Sequence, residues 1–211
     1  MTITQMTSLH EERLDHTVRV LNNLEGERLL DLGCGQGSLL YRVLREPKFT
    51  EVVGLEYSAR TLSATRSMLA EHLEARGGKP ARLRLLCGSY AERNDALTSF
   101  DIATMIETIE HVPPRSLSAV EAAVFGQYQP RALYMTTPNQ EYNVLFDLAP
   151  GEFRDPDHTF EWTRAKFRDW ASGVARRNGY AVRFGGIGDA DEAFGPPTQT
   201  ALFSRIASPS R

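Results

Sequence analysis

Arg28-Leu29-Leu30-Asp31-Leu32-Gly33-Cys34-Gly35-Gln36-Gly37-Ser38 is the stretch whose reading decides the fold. A short apolar run meets three glycines at alternate positions, and apolar residues resume at Leu39 and Leu40. Strand, tight turn and helix in that order expose bare backbone to a ligand. Glycine accepts left-handed φ angles and has no Cβ to hold the ligand away. A dinucleotide fingerprint needs Gly-x-Gly-x-x-Gly. Counted from Gly33, its last glycine would fall at Ser38, so the loop is not of that kind.

Outward from this loop the chain alternates between helical and strand patterns. Leu9, Leu14, Val18 and Leu21 recur at helical spacing over 9–24. After the loop the pattern predicts a helix over 38–44, a strand over 51–55 and a helix from an Ser58 N-cap to about Ala75, closed by Gly77-Gly78. Strands follow at 82–87 and 100–106, then a helix over 116–126 and a strand over 131–136. The segment 137–161 is polar and Pro-rich with no period, the mark of a functional loop. A helix capped by Thr163 runs to Asn178 before Gly179, and strands at 180–184 and 200–206 close the chain. This succession predicts an α/β doubly wound, mostly parallel seven-stranded sheet, one domain over 1–211, with ligands at the carboxyl ends of the strands.

The 211 residues are 41 % hydrophobic and 24 % charged, with a net charge of -3. That composition argues against a general nucleic-acid coat protein, which would be basic, but not against an enzyme that grips one chain end. No apolar run reaches membrane-spanning length, and Met1–His10 lacks a signal-peptide core, so a cytoplasmic location is expected. Cys34 and Cys87 read as free thiols. No exposed apolar run suggests an interface, so a monomer is expected.

The glycine loop resembles the Asp/Glu-x-Gly-x-Gly-x-Gly loop of class I (Rossmann-like) S-adenosylmethionine methyltransferases. That resemblance places Asp31 against the cationic amino-acid end of the cofactor and wraps Gly33, Cys34, Gly35 and Gly37 around it. Glu56 ends the second strand, where a carboxylate can accept from both ribose hydroxyls. Ser58 follows it, and Gly88-Ser89 falls where this class holds adenine.

Glu107, Glu110 and His111 stand at i, i+3 and i+4. If the chain turns helical after the fourth strand, they share one face. Two carboxylates and an imidazole so placed suit a divalent metal. A second reading stays open on these residues alone, since metal-free methyltransferases of small molecules carry a Glu-His-Val at this point.

Asp155-Pro156-Asp157-His158-Thr159-Phe160-Glu161-Trp162-Thr163-Arg164, preceded by Thr136-Thr137-Pro138-Asn139-Gln140-Glu141-Tyr142-Asn143, completes the set, with Gly195-Pro196-Pro197-Thr198-Gln199 near the end. Together with Glu107-x-x-Glu110-His111 these runs resemble the small-RNA 3′-terminal ribose 2′-O-methyltransferases: the plant small-RNA methylase and, nearer, the methylase domain of bacterial RNA repair. The resemblance extends from about Leu9 to Phe203. It implies that Glu107, Glu110, His111 and His158 bind one Mg²⁺ or Mn²⁺ that takes the 2′- and 3′-hydroxyls of the terminal nucleotide. It implies that Arg13 lies near the cofactor carboxylate, and that Thr137, Pro138, Asn139 and Arg164 line the RNA-end pocket. On the residues alone Arg13 is an ordinary helix residue, 137–139 a turn and Arg164 half of a surface ion pair. Trp162 reads equally as a base-stacking ring or as core. The family usually has aspartate where this chain has Glu56.

Methyl transfer needs the oxygen on line with the S–CH₃ bond, and a metal lowers the pKa of a hydroxyl. Mixed Glu and His ligands favour Mn²⁺ or Co²⁺ over Mg²⁺. The expected substrate is an RNA 3′ end with a free 2′,3′-diol, and the expected protein partner is an end-healing kinase-phosphatase-ligase. Two rivals remain at this point: a metal-independent O-methyltransferase for a small phenol or quinol, and a non-catalytic adenosylmethionine-binding subunit.

Overall fold

A computed structural model describes residues 3–75 and 81–206. Among the described residues seven strands form one sheet: β1 (Arg28–Leu32), β2 (Glu51–Glu56), β3 (Leu83–Cys87), β4 (Ile102–Ile106), β5 (Ala132–Pro138), β6 (Tyr180–Ile187) and β7 (Thr198–Arg205). Their order is β3-β2-β1-β4-β5-β7-β6. The five strands from β1 to β5 pair in parallel, and β7 runs antiparallel to both β5 and β6. The chain reverses direction of winding between β1 and β4, so the switch point lies at their carboxyl ends, where a doubly wound sheet leaves a crevice.

Burial on both faces explains the near-continuous apolar strands. Leu30, Leu32, Val53, Leu55, Met105 and Leu133 join the core on one face with Phe125, Phe167 and Phe203. Leu29, Val52, Ile102 and Tyr134 join the other, under α1 (Ile3–Asn23) and α2 (Ser38–Val43), with Leu14, Leu21, Leu39 and Leu40. Each buried leucine contributes about 1.5–3 kcal/mol. Asp31 and Thr104 are polar intrusions into this second face, and they hydrogen-bond to one another at 2.7 Å.

Several boundaries differ from the pattern. The helix after β2, α3, spans Ala59–Met68 and gives way to a 3₁₀ turn at Ala70–His72, because Leu69 leaves the helical region at φ -104°; Gly77-Gly78 lies outside the described residues. Ser58 does cap α3, its hydroxyl accepting from the Thr61 N–H. The predicted 116–126 helix is α4 (Leu117–Val120) widened into a π-helical stretch, Glu121–Tyr128. The expected loop 137–161 is partly structured: β5 reaches Pro138, Gln140–Phe146 forms 3₁₀ turns and Asn139 pairs with Trp162 as a single backbone rung. Thr163 caps α5 (Arg164–Asn178), and Gly179 ends it at φ +73°. β6 continues to Ile187 and β7 begins at Thr198, so the hairpin carrying Pro196-Pro197 reaches the carboxyl end of β5. No described helix is long and apolar enough to cross a membrane.

Candidate active site

The glycine loop leaves β1 and needs its glycines for two distinct reasons. At Gly33 φ is +81°, and a Cβ would lie 2.2 Å from the Thr108 hydroxyl oxygen, so both conformation and space forbid a side chain. At Gly35 φ is +51° but no atom lies within 4 Å of where a Cβ would stand, so the backbone itself faces open space. A cavity of about 390 Å³ adjoins it, lined by Arg13, Asp31, Gly33, Cys34, Gly35 and Glu107 among others. Gly37, Glu56, Ser58, Gly88 and Ser89 do not line it. They sit at the same end of the sheet, after β1, β2 and β3.

Glu56 locks this end together. One carboxylate oxygen accepts from the Gly35 N–H at 3.0 Å and the other from the Ser58 N–H at 2.8 Å, which leaves a further lone pair on each for hydroxyl donors. Gly88 N–H donates to the Glu56 carbonyl, and the Ser89 hydroxyl accepts from Ala91 N–H. Ser58 uses its own hydroxyl as the helix cap. Burial, opposed by the hydrogen bond from Thr104, pushes the Asp31 carboxyl up to about 7. A buried carboxylate of that kind gains from a cationic partner. The Cys34 thiol is raised far above its usual value by burial and then by Asp31, which makes it an inert wall of the cavity.

The second half of the site is made of side chains. After β4 the chain does not enter an α-helix. Glu107 takes a left-handed φ of +49°, a costly conformation for a non-glycine residue, and only a single 3₁₀ turn follows, Ile109–His111. The expected common face therefore forms for Glu110 and His111 but not for Glu107. Ligand atoms of Glu110, His111 and His158 lie within 4.8 Å of one another. Glu107 instead pairs with Arg13 at 3.2 Å and accepts from the Thr136 hydroxyl at 2.9 Å. Thr137, the next residue, donates to Glu110 at 3.1 Å, so the end of β5 holds both carboxylates.

Glu110 is fully buried, and its Oε1 has no hydrogen-bond partner among the described residues. Burial, and then the nearby Glu107 carboxylate, hold its carboxyl well above the usual range. An unpartnered buried carboxylate oxygen beside two imidazoles is the environment a divalent cation would relieve. The histidines are prepared for that role. His111 Nδ1 lies 3.2 Å from the Asp157 carbonyl and His158 Nδ1 lies 2.7 Å from Glu161 Oε1. Each acceptor calls for a proton on Nδ1 and leaves the Nε2 lone pair free. The residues present thus fit one ion held by Glu110, His111 and His158, with Glu107 alongside. Arg13 Nε, at the boundary between cavity and cluster, is also buried without a partner and suits an anionic group of a ligand.

The expected substrate residues are more enclosed. Thr137 and Asn139 are fully buried, and the Asn139 amide donates to the Phe194 and Pro196 carbonyls. Pro138 is buried in β5. Arg164 grips Glu141 through its backbone N–H and its guanidinium, and also donates to the Ala193 carbonyl. These groups knit β5, the 3₁₀ segment and the β6–β7 connection together. Trp162 is core: it is 2 % exposed and packs on Phe160, Phe167 and Trp170. The sequence reading missed Glu161, whose side chain is completely buried yet ionic in its contacts. Burial would raise its pKa, but hydrogen bonds from His158, Asn143 and the Arg154 N–H outweigh it and leave the carboxyl below the ordinary range. Its one signal was its place three residues after His158.

Comparison with known proteins agrees with this architecture. A methyltransferase-domain family model matches residues 30–124. The methyltransferase domain of bacterial CtHen1 has TM-score 0.84 and 37 % identity to this chain, covering 94 % of it and 100 % of that domain. The small RNA 2′-O-methyltransferase of Arabidopsis thaliana is 31 % identical over 95 % of this chain and 23 % of its own length. A chain of the Pnkp1/Rnl/Hen1 RNA repair complex shares the fold at TM-score 0.70 and 21 % identity, over 93 % of this chain and 41 % of that one. This chain spans about half or less of the length of the curated relatives it matches.

Proposed function

This chain belongs to the small RNA 2′-O-methyltransferase family, and from that membership we propose that it transfers a methyl group from S-adenosylmethionine to the 2′-hydroxyl of the 3′-terminal ribose of RNA, with a divalent metal. The observation that carries the metal is the convergence of Glu110, His111 and His158 around the unpartnered Glu110 Oε1, beside the cofactor cavity. Adenosylmethionine supplies an electrophilic methyl group, and an ion at these residues would supply Lewis-acid polarisation of a ribose hydroxyl.

This chain's own residues do the rest. Asp31 meets the cofactor's ammonium and Arg13 its carboxylate, charges matched across one cavity. Gly33 and Gly35 let the backbone close on the cofactor, and Glu56 accepts from the ribose hydroxyls. Glu110, His111 and His158 hold the ion, and Thr137 keeps Glu110 in place. Thr137, Pro138, Asn139 and Arg164 support the wall that meets the RNA end. The donor set of carboxylate and imidazole favours Mn²⁺ or Co²⁺ over Mg²⁺. We read the described residues as one domain, acting on ends produced in RNA repair, with an end-healing kinase-phosphatase-ligase as its partner.

The test is methyl transfer from labelled adenosylmethionine to a short RNA, with EDTA or added Mn²⁺, on ends carrying a 3′-hydroxyl or a 3′-phosphate. Labelling only with Mn²⁺ and only of the free diol is the expected result. Absence of labelling with every metal, while cofactor binding persists, would replace this reading with a metal-independent small-molecule methyltransferase.

A further inference from the structure

Behind His158 lies a chain of side chains whose hydrogen bonds all converge on Glu161. It begins at Arg154, a guanidinium that can donate and cannot accept. Arg154 Nε donates to Asn143 Oδ1 at 2.6 Å. That bond decides which end of the Asn143 amide is oxygen, so its Nδ2 must face the other way, where it donates to Glu161 Oε2 at 2.6 Å. Glu161 Oε1 accepts from the Arg154 N–H at 2.8 Å and meets His158 Nδ1 at 2.7 Å. Both Glu161 oxygens therefore face donors, and neither could be replaced by an NH₂ without setting donor against donor. Arg154 is itself fixed, donating to the Pro197 carbonyl at 2.8 Å and the Asn139 carbonyl at 2.5 Å, and its guanidinium lies over the Phe146 ring.

We propose that Arg154, Asn143 and Glu161 are positioning residues that hold His158 in its Nδ1–H form, so that Nε2 is kept for a cation held with Glu110 and His111. The inference rests on the metal reading of this site. It extends that reading from the ligands to the residues that set the state of one of them. An imidazole whose Nδ1 proton is not fixed by an acceptor populates the Nε2–H form, in which the lone pair points away from the cluster. Arg154, eleven residues from Asn143, fixes the orientation of its amide and also ties down the Pro197 and Asn139 backbone. The same guanidinium thus orders the wall of the site and, through Asn143, the carboxylate that meets its histidine.

The experiment is ¹⁵N–¹H long-range correlation NMR of the histidines in metal-free protein, with Mn²⁺ titration in parallel. Wild-type His158 is expected to show Nδ1–H. Glu161→Gln is expected to move it to Nε2–H or to a mixture and to weaken Mn²⁺ binding about 10- to 100-fold. Glu161→Asp, which keeps two accepting oxygens, is expected to restore part of both. Asn143→Asp keeps shape and the bond from Arg154 but turns the donor toward Glu161 into an acceptor; it is expected to weaken Mn²⁺ several-fold and serves if the Gln variant does not fold. An Nε2–H wild type, or variants that leave both tautomer and Mn²⁺ affinity unchanged, would overturn the proposal. Wild-type protein that binds no Mn²⁺ while His158 remains Nδ1–H would instead overturn the metal reading, and with it the chain's role toward a cation.

Discussion

The two halves of the site are built by different means, although they share one end of one sheet. The proposed cofactor side is largely backbone: Gly33 and Gly35 at positive φ, with the Glu56 carboxylate bridging the Gly35 and Ser58 amides. The proposed metal side is side chain on side chain. Glu110 and His111 meet His158 from a segment 47 residues away, the spacing of His111 and His158, and Thr137, Asn143, Arg154 and Glu161 hold them. The glycine turn of the first half needs little beyond β1 and β2 beside it. The second exists only after β4, β5 and the long loop have docked, so it depends on a larger share of the fold.

That contrast can be broken or sharpened by substitution. The largest effect is expected at Glu110→Gln. It should lower methyl transfer by more than about 100-fold, because several kcal/mol of polarisation by the ion are lost. Cofactor affinity, measured by equilibrium dialysis, should stay near wild type. Loss of both would mean that the halves are not separable. Next, Gly33→Ala should destabilise the fold by roughly 2 to 5 kcal/mol, from the left-handed φ and the clash with Thr108. Gly35→Ala, with open space at its Cβ, should cost about 1 kcal/mol in thermal unfolding yet weaken the cofactor more than it weakens the fold.

Asp31 gives a pH signature to the cofactor half. Its folded-state pKa of about 7 lies above the unfolded value, so the carboxyl favours the folded, cofactor-free chain at acid pH. That contribution is lost as pH rises through about 7, roughly 2–3 kcal/mol between pH 5 and pH 8. Asp31→Asn should flatten this part of the melting profile, and adenosylmethionine should stabilise wild type more at pH 8 than at pH 5. A profile that Asp31→Asn leaves unchanged would show that the cofactor half carries no buried charge of its own. The smallest effect is expected at Ser58→Ala, about 1 kcal/mol of capping energy seen as a fall of a few degrees in Tm with the metal half untouched.

How much could be read in advance follows the same division. The glycine turn and the Ser58 cap were legible because turn chemistry and N-caps act over three or four residues, whereas Asp31 and Glu56 entered through the resemblance of the loop. The doubly wound, mostly parallel sheet followed from alternation and handedness, while its strand order came only with the structure. Glu107 was placed on a shared helical face because spacing of i, i+3 and i+4 is all that a sequence offers there. The left-handed φ at Glu107 is set by its bonds to Thr136 and its pairing with Arg13, from strands and helices far away in the chain. Trp162 could have been a stacking ring or core, and only its burial among Phe160, Phe167 and Trp170 decides for core. Asn139 and Arg164 were visible as polar residues, but not as groups that lace β5 to the β6–β7 connection.

By itself the sequence determined the class of sheet, the glycine turn at one end of it and the donors and acceptors each candidate residue carries, because periodicity, glycine conformation and side-chain donors are local properties. The tertiary structure alone decided which carboxylate keeps one oxygen unbonded beside the histidines, which is held by Arg13, and which hidden glutamate meets His158 Nδ1. Those are matters of desolvation and hydrogen-bond direction, and both depend on what the rest of the chain packs against a group.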